Sequence, residues 1–456
     1  MIGIDAEPTI AVGIVTGAPI LQFSLEGTYR LPNAAVIPGG TYRAWASEGS
    51  IVLESARGER TTLDGSLKLK PNDGRAQSFV VASVQIGIGF HWQRAEDQKF
   101  TGDLELIGDA GGRLTLINIV GVEDYLASVI SSEMSATSHP ELLKAHAITS
   151  RSWLLAQLDP WKVDRGGQLA KAAGPSGELI RWYDRENHAA FDVCADDHCQ
   201  RYQGMTKATT DAVSAAVNAT WGRVLTCAGE MCDARFSKSC GGMTEDYRAA
   251  WQDIEIPYLS ARVDAERWPK GFRGPLTDEV NARAWILGSP QAFCNSRDSD
   301  LLAKILPGFD QETVDFYRWR RRITQEELQG LIERKLGTRL GAISSLRALE
   351  RGRSGRIIRL AIAGELSSLI LGKELEIRRA LSESHLYSSA FIVDQGPRVG
   401  AIPAWFELRG AGWGHGVGLC QIGAAAMAEA GLDAKTILDH YFLNTELEQL
   451  YPERRR

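Results

Sequence analysis

The order of apolar and polar positions changes character along the 456 residues. From residue 8 to 118, apolar residues come in short β-branched runs, at 12–16, 51–54, 79–86 and 104–107, separated by Gly, Asp and Pro turns. Such runs predict strands. From Val122 the period lengthens to that of a helix. Helices are predicted over 122–134 and 140–157, broken at Ser138-His139-Pro140, because proline fits the first position of a helix. A third is predicted over 206–220. Residues 269–310 carry no clear period and read as loop. Charged helices are predicted over 311–321 and 325–336. Strands return over 343–349, 356–362 and 369–371, and helices close the chain over 424–430 and 434–442. The pattern predicts an α+β fold. A β-rich N-terminal region covers 1–115, and the rest, 116–456, reads as one catalytic region with an insertion near 269–340. No internal repeat or low-complexity tract breaks this order.

One residue violates the pattern of the first helix. Its apolar positions are Val122, Leu126, Val129, Ile130 and Met134. Glu133 falls three residues after Ile130, four after Val129 and seven after Leu126, on the face that should be buried. Burying a carboxylate without a partner is costly, and a raised pKa that keeps it protonated is the usual response. A carboxyl protonated near neutral pH is what a general acid needs. The bland alternative is an internal ion pair. Lys144 and Arg151 share a face of the next helix, and either could supply the partner.

The second irregularity is a glycine-rich run, Gly410-Ala-Gly-Trp-Gly-His415-Gly-Val-Gly-Leu-Cys-Gln421. Alternate glycines allow positive φ or close approach of a ligand. A dinucleotide loop fails, since position 415 is His where the third glycine belongs and no acidic residue follows about 20 positions on. A Walker pattern is also absent. An imidazole among five glycines has no apparent wall to pack on, so contact with a substrate or with Glu133 is the favoured reading of His415.

Composition narrows the options. A net charge of −6 argues against non-specific nucleic-acid binding. No apolar run reaches the ~18 residues of a membrane span, and the start shows no basic n-region or apolar h-region of a signal peptide. The seven cysteines do not make a small disulfide scaffold. Cys240, Cys294 and Cys420 read as scattered. His188, Cys194, His198 and Cys199 crowd into twelve residues and offer soft S and N donors suited to zinc. A Cys194–Cys199 disulfide, or plain buried thiols, fit the same spacing.

These segments together resemble the SpoIID/LytB family. Val122–Leu155 resembles its V-x-x-Y-L-x-x-V-x-x-E-M and P-x-E-A-L-K-A-Q-A-V-A-A-R-T segments. Phe236-Ser-Lys-Ser-Cys-Gly-Gly-Met-Thr-Glu245 resembles F-x-x-S/T-x-G-G-x-T-E, with Trp251 and Tyr258-Leu259 as its sequel. Arg353-Ser-Gly-Arg356 is similar to an S-G-R strand entry. The run from Gly412 resembles G-x-G-H-G-V-G-M-S-Q-Y-G-A, followed by Ile437-Leu-Asp-His-Tyr441. The likeness covers roughly 115–450 in order. It implies a SpoIID-like catalytic domain. The family includes peptidoglycan lytic transglycosylases and amidase enhancers. Carried over by position, the resemblance implies a catalytic acid/base at Glu133 and substrate contacts at Lys144, Arg151, Ser239, Gly241, Gly242, His415 and Gln421. It also raises the standing of a structural zinc on His188, Cys194, His198 and Cys199, although the reaction itself needs no cofactor. Four positions depart from the pattern: His146 for Gln, Lys238 for a small residue, Cys420 for Ser and Ile422 for Tyr.

Hydrolysis of a glycosidic bond ordinarily takes two carboxylates. The sequence offers one credible buried acid, so transglycosylation, in which the substrate supplies the nucleophile, is expected over hydrolysis. The implied partners are peptidoglycan glycan strands, with or without their stem peptides, and an N-acetylmuramoyl-L-alanine amidase. Nucleic acid is not an expected partner. The implied location is extracytoplasmic, in the periplasm or cell envelope. The alternative function is a wall-binding protein that enhances an amidase without catalysis.

Overall fold

The computed structural model describes residues 4–72, 77–88, 93–158, 172–173, 177–183, 188–196, 198–308, 311 and 313–453. The expected α+β class holds, with strands dominating the N-terminal part. Packing separates two compact units. The first joins Met1–Thr137, Asn187–Arg223 and Gln449–Arg456; the second joins Ser138–Glu186 and Val224–Glu448. This grouping cuts the chain differently from a boundary at 115/116.

In the first unit, alternation builds two sheets. Leu21, Phe23 and Leu25 of strand Leu21–Glu26 are buried, and the residues between them are not. Leu104 and Leu106 repeat the pattern in strand Asp103–Gly108. A six-stranded antiparallel sheet runs from Arg94–Thr101 to Arg60–Asp64. A seven-stranded sheet carries Thr9–Ala18 and Leu114–Gly121 side by side, paired from Thr9↔Gly121 onward. Its edge strand, Val193–Cys194, runs parallel to Val12 and Gly13. Gly13 is required there, because a Cβ would stand 2.5 Å from the Phe191 ring.

Strand Leu114–Gly121 leads directly into helix α1 (Val122–Glu133). The Gly121 N-cap has no side chain, and Glu7 takes its place by accepting from the Glu123 N–H at 2.9 Å. A carboxylate suits the positive end of a helix. The apolar positions named above are all buried, as the period predicts.

In the second unit, helix α2 (Pro140–Leu158) starts on its proline. Strands Ile343–Arg351, Ile357–Gly364 and Ser368–Gly372 form near the expected positions, and they pair as an antiparallel meander. Helix Gln325–Leu336 also forms as expected, with the Thr324 hydroxyl capping Glu327 and Gly337 closing it at positive φ. The expected helix over 311–321 does not form, and Glu312 lies outside the described residues. Arg318–Thr324 is instead a strand paired with Trp405–Ala411. Trp319 and Ile323 point inward while Arg320 and Arg322 point out, both pairing with Glu407. That is a two-residue period hidden by high charge. Conversely, 269–310 is not all loop. Helices Glu279–Gly288 and Ser299–Ile305 occupy it, each capped by an aspartate, Asp278 and Asp298. The Asp caps are a start signal that the weak apolar period obscured.

Candidate functional site

Glu133 ends α1 and is 8% exposed. Its Oε1 accepts from the Arg201 backbone N–H at 3.0 Å. The 200–203 segment is zipped onto α1 at two further points. Tyr125 donates its hydroxyl to Gln200 at 3.3 Å, and Ser128 Oγ accepts from the Gln203 N–H at 3.0 Å. The Tyr125 ring stacks on Tyr202, with centroids 5.0 Å apart, and Tyr202 reaches the buried Asn118 of the sheet. Burial pushes both phenols up.

The segment that supplies Arg201 begins with the His/Cys group. His188 Nε2 lies 3.5 Å from Cys199 Sγ, His198 Nδ1 lies 3.5 Å from the same sulfur, and Cys194 Sγ is 3.8 Å from His198 Nδ1. All four donor atoms fall within 4.8 Å of one another. Contacts from Cys199 and then His198 pull the Cys194 thiol down. Two sulfurs and two imidazole nitrogens at this spacing fit a tetrahedral zinc ion. The backbone around them is anchored, since Asp192 accepts from Ala11 N–H and Asp196 from the N–H groups of Gly87 and Ile88. All seven cysteines are thiols, so the Cys194–Cys199 disulfide is not formed.

Glu133 is not the only buried carboxylate, contrary to the sequence expectation of a single one. Glu123 accepts from Gly222 N–H and from the Tyr451 hydroxyl. Glu245 is fully buried and accepts from Asp246 N–H, Ser354 N–H and the Ser354 hydroxyl. Burial pushes Glu245 up despite these donors. Both tie distant parts of their own unit together, which is the ordinary reason for a buried carboxylate.

The second unit holds the other predicted positions. Ser239 forms a two-way backbone bridge with Trp413, which joins the Gly-Gly motif to the glycine-histidine loop. The alternate glycines serve the protein's own packing. At Gly412, Gly416 and Gly418 φ is positive, and a Cβ would come within 2.7 Å of Ser239 O, 2.3 Å of the Arg356 guanidinium and 2.1 Å of Arg235 O. Gly241 and Gly242 are likewise at positive φ, against Gly412 and Tyr317.

His415 does have a wall. Its ring meets Trp251 edge-on at 4.9 Å, and its Nδ1 accepts from Val417 N–H at 3.0 Å. Trp251 stacks on Tyr247, and the Arg235 guanidinium lies 4.2 Å from the Trp251 centroid. Asp233 holds that guanidinium through both oxygens. Burial, with the charges of Arg235 and Arg356, holds the imidazole well below its usual pKa. It is therefore neutral, and serves as a hydrogen-bonding ring instead of a proton donor. Arg235 and Asp233 carried no motif signal. Only the Trp251 position was legible, from the family pattern.

Lys144 pairs with Glu141 at 2.7 Å, and Glu141 in turn accepts from Ala434 N–H at the start of helix Ala434–Tyr441. Arg151 is fully buried and engaged. Gln421 is 1% exposed; its amide nitrogen is 2.9 Å from His146 Nε2, and His146 Nδ1 is 3.2 Å from Ser150 Oγ. Burial, aided by Lys238, pushes His146 down to about 3. A neutral ring with its proton on Nδ1 satisfies both bonds. The departure at 146 thus has a physical role, because the imidazole holds Gln421 and the helix it begins against α2.

Comparison with known proteins places these segments. The family described as Stage II sporulation protein matches residues 110–227, which span α1, α2 and the His/Cys group. A domain of unknown function matches 245–418. Stage II sporulation protein D of Bacillus subtilis (strain 168) is 25% identical over 333 residues, 72% of this chain and 75% of that protein. The Amidase enhancer of the same strain is 22% identical over 417 residues, 90% of this chain and 50% of the enhancer. An uncharacterized protein of Brachyspira hyodysenteriae is 23% identical over 412 residues, 90% of this chain and 88% of that protein. Among the described residues, no helix is long and apolar enough to cross a membrane. The motifs shared in order, the family segment matched over 110–227 and these relatives together support a SpoIID/LytB assignment for this chain.

Proposed function

We propose that the protein acts on the cell wall as a peptidoglycan lytic transglycosylase, with Glu133 as its single acid/base. The observation that carries this reading is the setting of Glu133. One carboxylate oxygen is held by Arg201 N–H at 3.0 Å, at the end of the segment built on the His/Cys group. Glu123 and Glu245 are each spent on several hydrogen bonds within their units.

In the reaction, protonated Glu133 donates to the oxygen linking N-acetylmuramic acid to N-acetylglucosamine. The C1–O bond breaks and the leaving sugar keeps that proton. The Glu133 carboxylate then takes the proton of the muramoyl 6-hydroxyl as its oxygen bonds to C1. The product is a 1,6-anhydro sugar, and no water is consumed. Glu133 ends as it began. Lys144, Arg151, Ser239, Gly241, Gly242, His415 and Gln421 shape the substrate-contacting part of the second unit, with His415 offering a neutral ring and the buried members fixing the backbone. Zinc on His188, Cys194, His198 and Cys199 would be structural and would keep the segment ending at Arg201 in place. The site of action is outside the cytoplasm.

The test is to incubate the protein with purified glycan strands, with and without stem peptides, and to analyse products by mass spectrometry. Anhydromuramoyl ends are expected from wild type. Glu133→Gln should lose them, with turnover down by about a hundredfold to ten-thousandfold for a removed acid/base, and its melting temperature should stay close to wild type. A relative named Amidase enhancer aligns with 90% of this chain and supports a second reading. Under it, well-folded wild type cleaves no strand of either kind but raises the rate of an added N-acetylmuramoyl-L-alanine amidase, and Glu133→Gln does so equally well.

A further inference from the structure

Three cysteines that look scattered in sequence meet inside the second unit. Cys240, Cys294 and Cys420 are each at most 2% exposed, and Asp264 is fully buried beside them. One donor atom from each of the four lies within 4.8 Å of the others. The sulfurs of Cys240 and Cys294 are 3.6 Å apart. That is far beyond the ~2.05 Å of a disulfide. It is close to the separation of about 3.8 Å that two thiolates take when both bind one tetrahedral zinc ion with bonds of about 2.3 Å.

The surroundings are those of a metal-binding group. Cys420 Sγ accepts from the Cys240 N–H at 3.2 Å. Asp264 is oriented through both oxygens, by the Tyr441 hydroxyl at 2.7 Å and by the Cys294 N–H at 2.9 Å. Partners of this kind aim a ligand and hold its lone pairs in place. Gly423 leaves the room they need, since a Cβ there would stand 2.8 Å from Asp264 Oδ1 and 2.3 Å from the Tyr441 oxygen. Charge is provided for as well. Three thiolates and a carboxylate around a divalent ion leave two negative charges. Arg356 donates to the carbonyl of Cys240 and Arg318 to that of its neighbour Gly241, both at 3.1 Å. Arg318 also donates to the backbone carbonyls of Ile286, Tyr317 and Trp285, and none of these hydrogen bonds neutralises its charge.

We propose that Cys240, Asp264, Cys294 and Cys420 form a second, buried zinc-binding site. Soft sulfur donors with one oxygen, on a closed set of four, select zinc in a structural role. Cys240 precedes Gly241-Gly242, and Cys420 precedes Gln421 at the end of the glycine-histidine loop. The ion therefore clamps the bases of both motifs and joins them to the segments carrying Asp264 and Cys294. This site shares no residue with the His188–Cys199 group and does not depend on the catalytic reading of Glu133.

The test is the zinc content of the full chain purified under reducing conditions with zinc supplied. Wild type is expected to hold two equivalents. Cys194→Ala/Cys199→Ala should keep one, and adding Cys294→Ala should remove it. X-ray absorption on wild type needs no variant. With both groups filled, sulfur outnumbers nitrogen and oxygen among the atoms bonded to zinc, whereas the His/Cys group alone gives equal numbers. The proposal is overturned by equal numbers, by a double variant that folds but holds no zinc, or by a Cys240–Cys294 disulfide in peptide mapping of the native protein.

Discussion

His146 shows how much one substitution within a motif can be doing. In a fully buried place the charged imidazole is excluded, and its pKa falls from 6.5 to about 3. Between those values the unfolded chain binds a proton that the folded protein refuses. Stability from this residue is therefore present above pH 6.5 and is lost as pH falls toward 3. His146→Gln keeps an amide for Gln421 and has nothing to protonate. The melting curve of wild type should weaken relative to His146→Gln by about 1 kcal/mol for each pH unit below 6. Parallel pH profiles for the two proteins would mean that His146 is protonated in the fold. At the same scale, Glu133 was legible in sequence through its clash with an apolar face. What could not be read is that Glu123 and Glu245 are buried more deeply still. Their donors, Gly222, Tyr451 and Ser354, come from far along the chain.

At the scale of elements, the glycine-histidine loop is the clearest case of a pattern read correctly but for another reason. Its alternate glycines are needed because the protein's own backbone and Arg356 press on them. Gly418→Ala puts a methyl group 2.1 Å from Arg235 O at φ +74 and should cost more than about 2 kcal/mol. Gly400 has φ +63 with open space around it, so Gly400→Ala should cost only about 1 kcal/mol. Equal losses in thermal midpoint for the two variants would show that φ strain alone, and not contact, decides the loop. Helices α1, α2 and Gln325–Leu336 were legible because their apolar period and end signals agree. Strand Arg318–Thr324 was not, because its outward arginines are neutralised by Glu407 on a strand some 85 residues away. No local window contains that partner.

At the scale of the whole molecule, net charge bears on substrate choice. A chain at −6 gains nothing from long-range attraction to an acidic polymer. Strands stripped of their peptides should be cleaved at rates that change less than about twofold between 0.05 M and 0.5 M salt, where screening grows several-fold stronger. A steep fall with salt, measured by release of anhydromuramoyl products from the same strands, would instead show that carboxylates of the bare glycan are recognised through charge. The division into two units also belongs to this scale. The first gathers its strands, α1 and the His/Cys segment from three stretches of chain, a grouping that no composition shift along the sequence marks.

By itself the sequence determined the fold class, the main helices and strands, the family resemblance, and the position of the candidate acid, because each depends on short-range period or on motifs written in contiguous residues. Tertiary structure alone decided what those residues touch. It gave His415 a wall in Trp251, turned Gln421 toward His146, and drew Cys240, Asp264, Cys294 and Cys420 into one group. Burial, hydrogen-bond satisfaction and metal-donor spacing are properties of three-dimensional neighbours, and those neighbours here lie up to 328 residues apart.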